Sequence, residues 1–243
     1  MTGTGPSPDF YIGWDVGGWN CDNNGKSRDA VVILDASLAI VGKPWRGNLR
    51  ESINDSATTE EWIRRLFLLC GVYLPSEIKQ ITLGIDTPLG FSEAFVELVT
   101  RLKCAGPVEH SHSNPYLFRQ TERYLFQRGL TPLSAIKDMI GSQATKGMHV
   151  LARFAPYTQG CGVWTDGKLL TAIEAYPSAC KNSETINSLR ARCTPLGHED
   201  KEDALTCALI AYLHAVRHEL LAGPDAGVPA SEGWIWVPKD ALG

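Results

Sequence analysis

The chain of 243 residues sets 23 Lys and Arg against 27 Asp and Glu, a net charge of −4, and is 44% hydrophobic. That length fills one large domain or two small ones and buries a full core. The charge gives no support to a broad basic surface for non-specific nucleic-acid binding, and no apolar run reaches the roughly 20 residues of a membrane helix.

Residues 1–8 are rich in Gly, Pro, Ser and Thr and are expected to be loose. They lack the basic-then-apolar pattern of a secretory signal, so a cytoplasmic location is expected. Phe10 to Gly17 reads as a strand that ends in glycines, with Asp15 near its C-terminal part. Ala30–Asp35 and Leu38–Trp45 follow as short apolar runs, and the three together predict an antiparallel meander. Thr58 and Glu61 have the capping-box spacing and open a helix that runs to Pro75. Gln80 to Gly90 predicts a strand finishing in Asp86, Pro88 and Gly90, and a helix from Ser92 to about Lys103 succeeds it. The β-β-β-α-β-α order specifies an α/β class with a mixed sheet and flanking helices.

From Gly106 to Phe154 the chain reads as an insertion within a single domain spanning 1–243. A loop comes first, then arginines 119, 123 and 128 among aromatics, then a mostly helical stretch from Pro132. Asp166-Gly167 marks the turn of a hairpin whose second strand ends in Glu174-Ala175-Tyr176-Pro177. A helix from Asp200 to Leu221 carries acids in its first turn and an almost wholly apolar body, so it packs on more than one side. Gly223-Pro224 is expected to stop it, and Glu232–Pro238 to dock on the body. Of seven cysteines without a C-x-x-C pair, most read as small buried hydrophobes of a reducing compartment. Cys104, His110 and His112 lack a fourth metal ligand.

Three acids stand at or near strand ends: Asp15, Asp86 and Glu174. In open α/β sheets ligands bind beyond the carboxyl ends of the strands, so such acids can meet in one crevice. Asp200 and Asp203, three apart, share one face at the start of the late helix and can close it. Several hard oxygen ligands in one place call for a divalent cation, because bare carboxylates repel one another and raise their own pKa values.

The acid on the first strand, the acid on the strand after the first helix, and D-x-x-D-A opening a late apolar helix resemble the ribonuclease H-like superfamily. The whole chain resembles the domain-of-unknown-function family 429, described as predicted nucleases of ribonuclease H-like fold. That resemblance rests on D-x-P-L-G at Asp86, on Arg119, Glu122 and Arg123, on Glu174–Pro177, on Asp203-Ala204, and on Glu232–Pro238. It implies a metal-dependent nuclease or phosphodiesterase with two Mg²⁺ or Mn²⁺ ions, acting on DNA or RNA. Asp15, Asp86 and Asp203 would hold the metal, and Asp200 or Glu174 would be the fourth carboxylate. Arg119 and Arg123 would contact phosphate, while His198 reads as a solvated loop residue ahead of the alternatives of moving protons or binding metal. The rival readings are an actin-like or sugar-kinase-like phosphotransferase, with Asp15–Gly18 as a phosphate loop, and an inactive member that binds a ligand or partner. The oligomeric state is not legible at this level.

Overall fold

The computed structural model describes residues 10–108 and 110–242, so the loose segment expected over residues 1–8 lies outside the described residues. The chain runs β1 (Phe10–Asp15), β2 (Asp29–Asp35), β3 (Trp45–Gly47), α1 (Arg50–Asn54), α2 (Thr59–Leu69), β4 (Ile81–Asp86) and α3 (Glu93–Arg101). It continues through α4 (Gln120–Phe126), α5 (Gly141–Phe154), β5 (Tyr157–Gly160), β6 (Val163–Thr165) and β7 (Leu170–Ala175). The last elements are α6 (Glu184–Arg190), α7 (Glu199–Val216), β8 (Leu221–Ala222) and β9 (Ile235–Pro238).

This is an α/β fold with a mixed sheet in the order β3-β2-β1-β4-β7-β6-β5. β1, β4 and β7 are parallel neighbours at its centre, and β2, β3, β5 and β6 extend it antiparallel on both sides. β9 joins the end of β7 in parallel and pairs β8 antiparallel.

Side chains alternate across the sheet, and each face has its own core. On one face Ile12, Trp14, Ile33 and Leu83 pack with the apolar sides of α2 and α5. On the other, Tyr11, Val32, Leu34 and Ile173 pack against α7. α7 is buried along nearly all of its length, which is why its sequence shows so little polar face. Its seat depends on two glycines that pair across β1 and β4, Gly13 and Gly84. A Cβ on Gly13 would lie 1.8 Å from the Ala204 carbonyl oxygen, and one on Gly84 would lie 2.3 Å from that of Cys207. Only glycine lets a helix backbone lie this close to the sheet.

The α2 cap is as expected: Thr58 Oγ1 accepts the Glu61 N–H at 3.2 Å, while the Glu61 carboxylate reaches back to the Ala57 N–H at 2.8 Å. The turn between β6 and β7 is built by Asp166, whose carboxylate accepts N–H groups from Lys168, Leu169 and Leu170.

Four boundaries differ from the expectation. The third strand is Trp45–Gly47, and of the run Leu38–Trp45 only Ile40 makes an isolated bridge, to Leu34. The helix expected from Pro132 begins at Gly141. Before it, Ser134 Oγ accepts the Ile136 and Lys137 N–H groups and Asp138 accepts that of Ser134, local bonds that compete with helix. α7 ends at Val216 instead of Leu221, because Leu221 and Ala222 pair with Pro238 and Val237. α2 ends at Leu69 instead of Pro75, because Gly71 takes the left-handed φ of 76° that closes it, and α5 of the 106–154 segment covers one face of the sheet. No described helix is long and apolar enough to cross a membrane.

Candidate active site

Asp15 and Asp86 are the last residues of β1 and β4 and are register partners. Adjacent strands lie about 4.8 Å apart, and both side chains leave the sheet on the face that α7 covers, the face of Gly13 and Gly84. The glycine pair sets the height of α7, and Asp203 precedes the Ala204 carbonyl that rests on Gly13. A strand end, its neighbour's end and a helix first turn thus bring three carboxylates together.

Their charges act on one another. Burial, then the charges of Asp86, Asp203 and Asp200, hold the Asp15 carboxyl well above the ordinary carboxylate range. Burial, then Asp203 and Glu174, push Asp86 up to about 8. Asp203 rises to about 6 through burial and Glu199, while Arg190 and Lys181 pull it down. Among the described residues none of the three has a cationic partner or a hydrogen-bond donor.

The other acids predicted for the site are committed elsewhere. Glu174 pairs with Ile85, not with Asp86, so its side chain leaves the opposite face of the sheet. There it receives Arg119 through two bonds of 2.6 and 2.8 Å and the Leu89 N–H at 2.9 Å. Asp200, 7% exposed, binds Arg46 Nε at 2.6 Å and accepts the Arg28 N–H at 3.1 Å. His198 caps α7, its ring nitrogen accepting the Asp200 N–H at 3.1 Å.

The arginine expectation needs correction. Arg119 is 2% exposed and joins Glu174 and Glu122 in a buried triad, so its guanidinium has no free edge for a phosphate. Arg123 is half-buried on α4 and, like Arg119, does not line the cleft at the strand ends.

That cleft has a volume of about 460 Å³. Asp15, Asp86 and Glu174 line it from the strand ends, and Tyr176 and Ser178 from the chain after β7. Pro132, Leu133, Ile140 and Gln143 form its far wall. A larger groove of about 1,000 Å³ lies at the opposite ends of the same strands and contains none of the five predicted acids.

Two features near the acids were not foreseen. The first is a wholly buried pair, Lys146 with Asp29. Asp29 also accepts Gly17 N–H at 2.9 Å, Trp14 Nε1–H at 3.0 Å and Leu49 N–H at 2.6 Å, while Lys146 Nζ donates to the Gly17 carbonyl at 3.3 Å. The loop that follows Asp15 is therefore rigidly held. Its Gly17 and Trp19 N–H groups are donated inward, the latter to Ser142 at 3.0 Å, which leaves them unavailable to a phosphate. A lysine on the apolar stripe of α5, beside Val150 and Phe154, was the available signal.

The second feature is cationic. The short 3₁₀ turn Pro177–Asn182 carries Ser178 into the cleft, and side chains three apart on such a turn eclipse. Lys181 therefore projects on the same side, with no ion-pair partner among the described residues. Arg190 lies along the start of α7, donating to the Glu202 carbonyl at 3.3 Å and to the Thr206 hydroxyl. The charges of both act on Asp203. In addition, α5 begins at the cleft wall with no side-chain cap and no acid in its first turn.

Among the described residues no three His, Cys, Asp or Glu side chains already stand in a ligating arrangement. Asp15, Asp86 and Asp203 nevertheless offer hard oxygens of the kind that Mg²⁺ and Mn²⁺ take. Set against protein-family models, curated proteins and solved structures, the chain gave no match.

Proposed function

We propose that the chain is a metal-dependent phosphodiesterase of ribonuclease H-like fold, akin to the predicted nucleases of family 429. One observation carries this reading. Asp29, Glu122, Glu174 and Asp200 each have a cationic partner, and Glu232 accepts the first N–H groups of α3 and α4 at 2.9 and 2.6 Å. Asp15, Asp86 and Asp203 have no ion pair among the described residues and are raised by burial, Asp203 in spite of the charges of Arg190 and Lys181. Such burial of charge costs stability unless a cation or protons relieve it, and groups of this kind concentrate at functional sites.

Asp15, Asp86 and Asp203 would hold the ion. Bound there, Mg²⁺ or Mn²⁺ supplies Lewis-acid activation of a phosphoryl oxygen and of water. Lys181 would face the phosphate from the turn before α6, and the open amides at the start of α5 would face it from the other side. In the hydrolysis, water oxygen forms a bond to phosphorus and the ester P–O bond breaks. The leaving oxygen takes a proton and the attacking water loses one, giving a phosphate monoester and an alcohol. The phosphotransferase reading is not favoured, because the Gly17 amide it would use is bonded to Asp29.

The test is calorimetric titration of Mn²⁺ into the wild type and into Asp86→Asn, with hydrolysis of bis(p-nitrophenyl) phosphate followed in parallel. Saturable Mn²⁺ binding lost in the variant, with hydrolysis reduced at least a hundredfold, is expected. Equal binding and turnover in both proteins would remove the carboxylates from the mechanism. Binding without turnover of any phosphodiester would leave a ligand-binding member of the fold.

A further inference from the structure

The cleft beside the carboxylates is strongly two-sided, and its chemistry selects a substrate. Its lining holds three acids and no Lys or Arg. A duplex is gripped through many phosphate contacts by clustered basic side chains, or by an element inserted in a groove. Nothing in this lining does either. Its volume of about 460 Å³ instead lies in the range of pockets that enclose one small molecule.

The same lining carries an apolar set, Pro132, Leu133, Ile140 and Tyr176. Tyr176 is held in place by its hydroxyl, which donates to the Thr131 carbonyl at 2.9 Å. Leu133 is 54% exposed and Met139, next to Ile140, is 89% exposed. A floppy loop would hide such side chains by collapse. This one is pinned, with Ser134 Oγ donating to the Leu117 carbonyl and Asp138 Oδ2 accepting the Ser134 N–H at 2.8 Å. Met139 is moreover held in the left-handed region at φ 54°, where a side chain sits only under constraint from its surroundings. Gln143 adds an amide with no partner among the described residues, carrying both a donor and an acceptor into the same space.

Resting on the phosphodiesterase reading, we infer that the cleft encloses one unpaired nucleotide. Its base lies against Leu133 and Tyr176 with its edge toward Gln143, and its phosphate lies over Asp15 and Asp86. Apolar and aromatic walls of this kind hold bases that are out of the helical stack, and they exclude bases that are paired. The substrate class is then single-stranded nucleic acid or a free nucleotide ester, not intact duplex.

The experiment starts with Mn²⁺ titrated into the full chain by calorimetry. Thymidine 5′-monophosphate and inorganic phosphate are then titrated into the Mn²⁺-loaded protein. The nucleotide should bind at least tenfold more tightly than phosphate. Leu133→Ser should shrink that ratio several-fold with Mn²⁺ and phosphate affinities unchanged, and Gln143→Ala should shrink it with Mn²⁺ affinity unchanged; Leu133 is 54% exposed and Gln143 half-buried, so both variants should fold. A four-nucleotide single strand should compete with the nucleotide, and a blunt duplex should not. Competition by the single strand places the unpaired residue within a polymer, and competition by the mononucleotide alone assigns a free nucleotide ester. Equal affinity for nucleotide and phosphate, or equal competition by duplex, would overturn the nucleotide pocket while leaving the metal site standing. Absence of Mn²⁺ binding would overturn both.

Discussion

The ends of the central strands present two groups of acids with opposite fates. On the α5 side, Glu174 and Glu122 close around Arg119 in a triad that is 1–2% exposed, and every charge has a partner. On the α7 side, Asp15, Asp86 and Asp203 have no ion pair among the described residues, and burial lifts all three above the usual carboxylate range. Neighbouring positions on one sheet thus carry a fully paired charge network on one face and an unpaired one on the other. The difference teaches that acid at a strand end is not in itself a site. What marks a site is acid left uncompensated at a place the fold holds rigidly.

The largest expected effect tests the paired side. Arg119→Met would strand two buried carboxylates, and breaking one partner of a buried ion pair costs about 3–5 kcal/mol. Urea denaturation at neutral pH should show that loss. A change below about 1 kcal/mol would mean the triad contributes no more than an exposed ion pair and would erase the contrast.

A buried base offers the same comparison with the sign reversed. His214 packs against His218 and Trp236, and its Nε2 is buried without a partner. Burial, then the charge of His218, lowers its pKa to about 3. The folded chain therefore binds fewer protons here than the unfolded chain between about pH 3 and pH 6.5, so stability falls as the pH drops through that window. The loss by pH 5 should be about 2 kcal/mol, seen as a falling melting temperature that His214→Phe flattens. An unchanged acid slope in that variant would show that the imidazole is free to protonate in the folded chain.

On the unpaired side the sign of the mutation reverses. Asp86→Asn keeps the shape of the side chain and removes one of three repelling charges. The metal-free protein should gain about 1 kcal/mol at pH 8–9, and the gain in melting temperature that Mn²⁺ gives the wild type should vanish. Destabilisation instead would place Asp86 among the structural acids with Glu174.

The sequence carried much of this and stopped at a definable point. Apolar runs ending in Asp15 and Asp86 announced both strands and both acids, because strand ends and carboxylates are local features. The α7 site was legible through its acidic first turn and wholly apolar body. Glu174 was not, because parity decides its face. Asp15 and Asp86 are the last residues of their strands whereas Glu174 is the last but one, and the register Ile85↔Glu174 sends it to the other side. Register is a property of the assembled sheet. The same holds for Arg119, whose partners lie 3 and 55 residues away, and for Lys146, which finds Asp29 across 117 residues. Gly13 and Gly84 looked like ordinary strand glycines until α7 was seen resting on them.

The smallest effect is the most specific to function. Lys181 is exposed, unpaired among the described residues, and set on the same side of its 3₁₀ turn as Ser178 in the cleft. Removing an exposed lysine leaves stability within about 0.5 kcal/mol, so Lys181→Ala should melt with the wild type. Its charge nevertheless acts on Asp203, beside which the proposed phosphate would bind. Affinity for a phosphodiester should fall by about three- to tenfold, the worth of one partly screened charge, and the fall should shrink as salt is raised. An effect on melting without an effect on affinity would make Lys181 one more compensated charge and remove it from the proposed phosphate site. An effect on affinity that salt does not change would point to a shape change in the turn instead, since only a charge is screened.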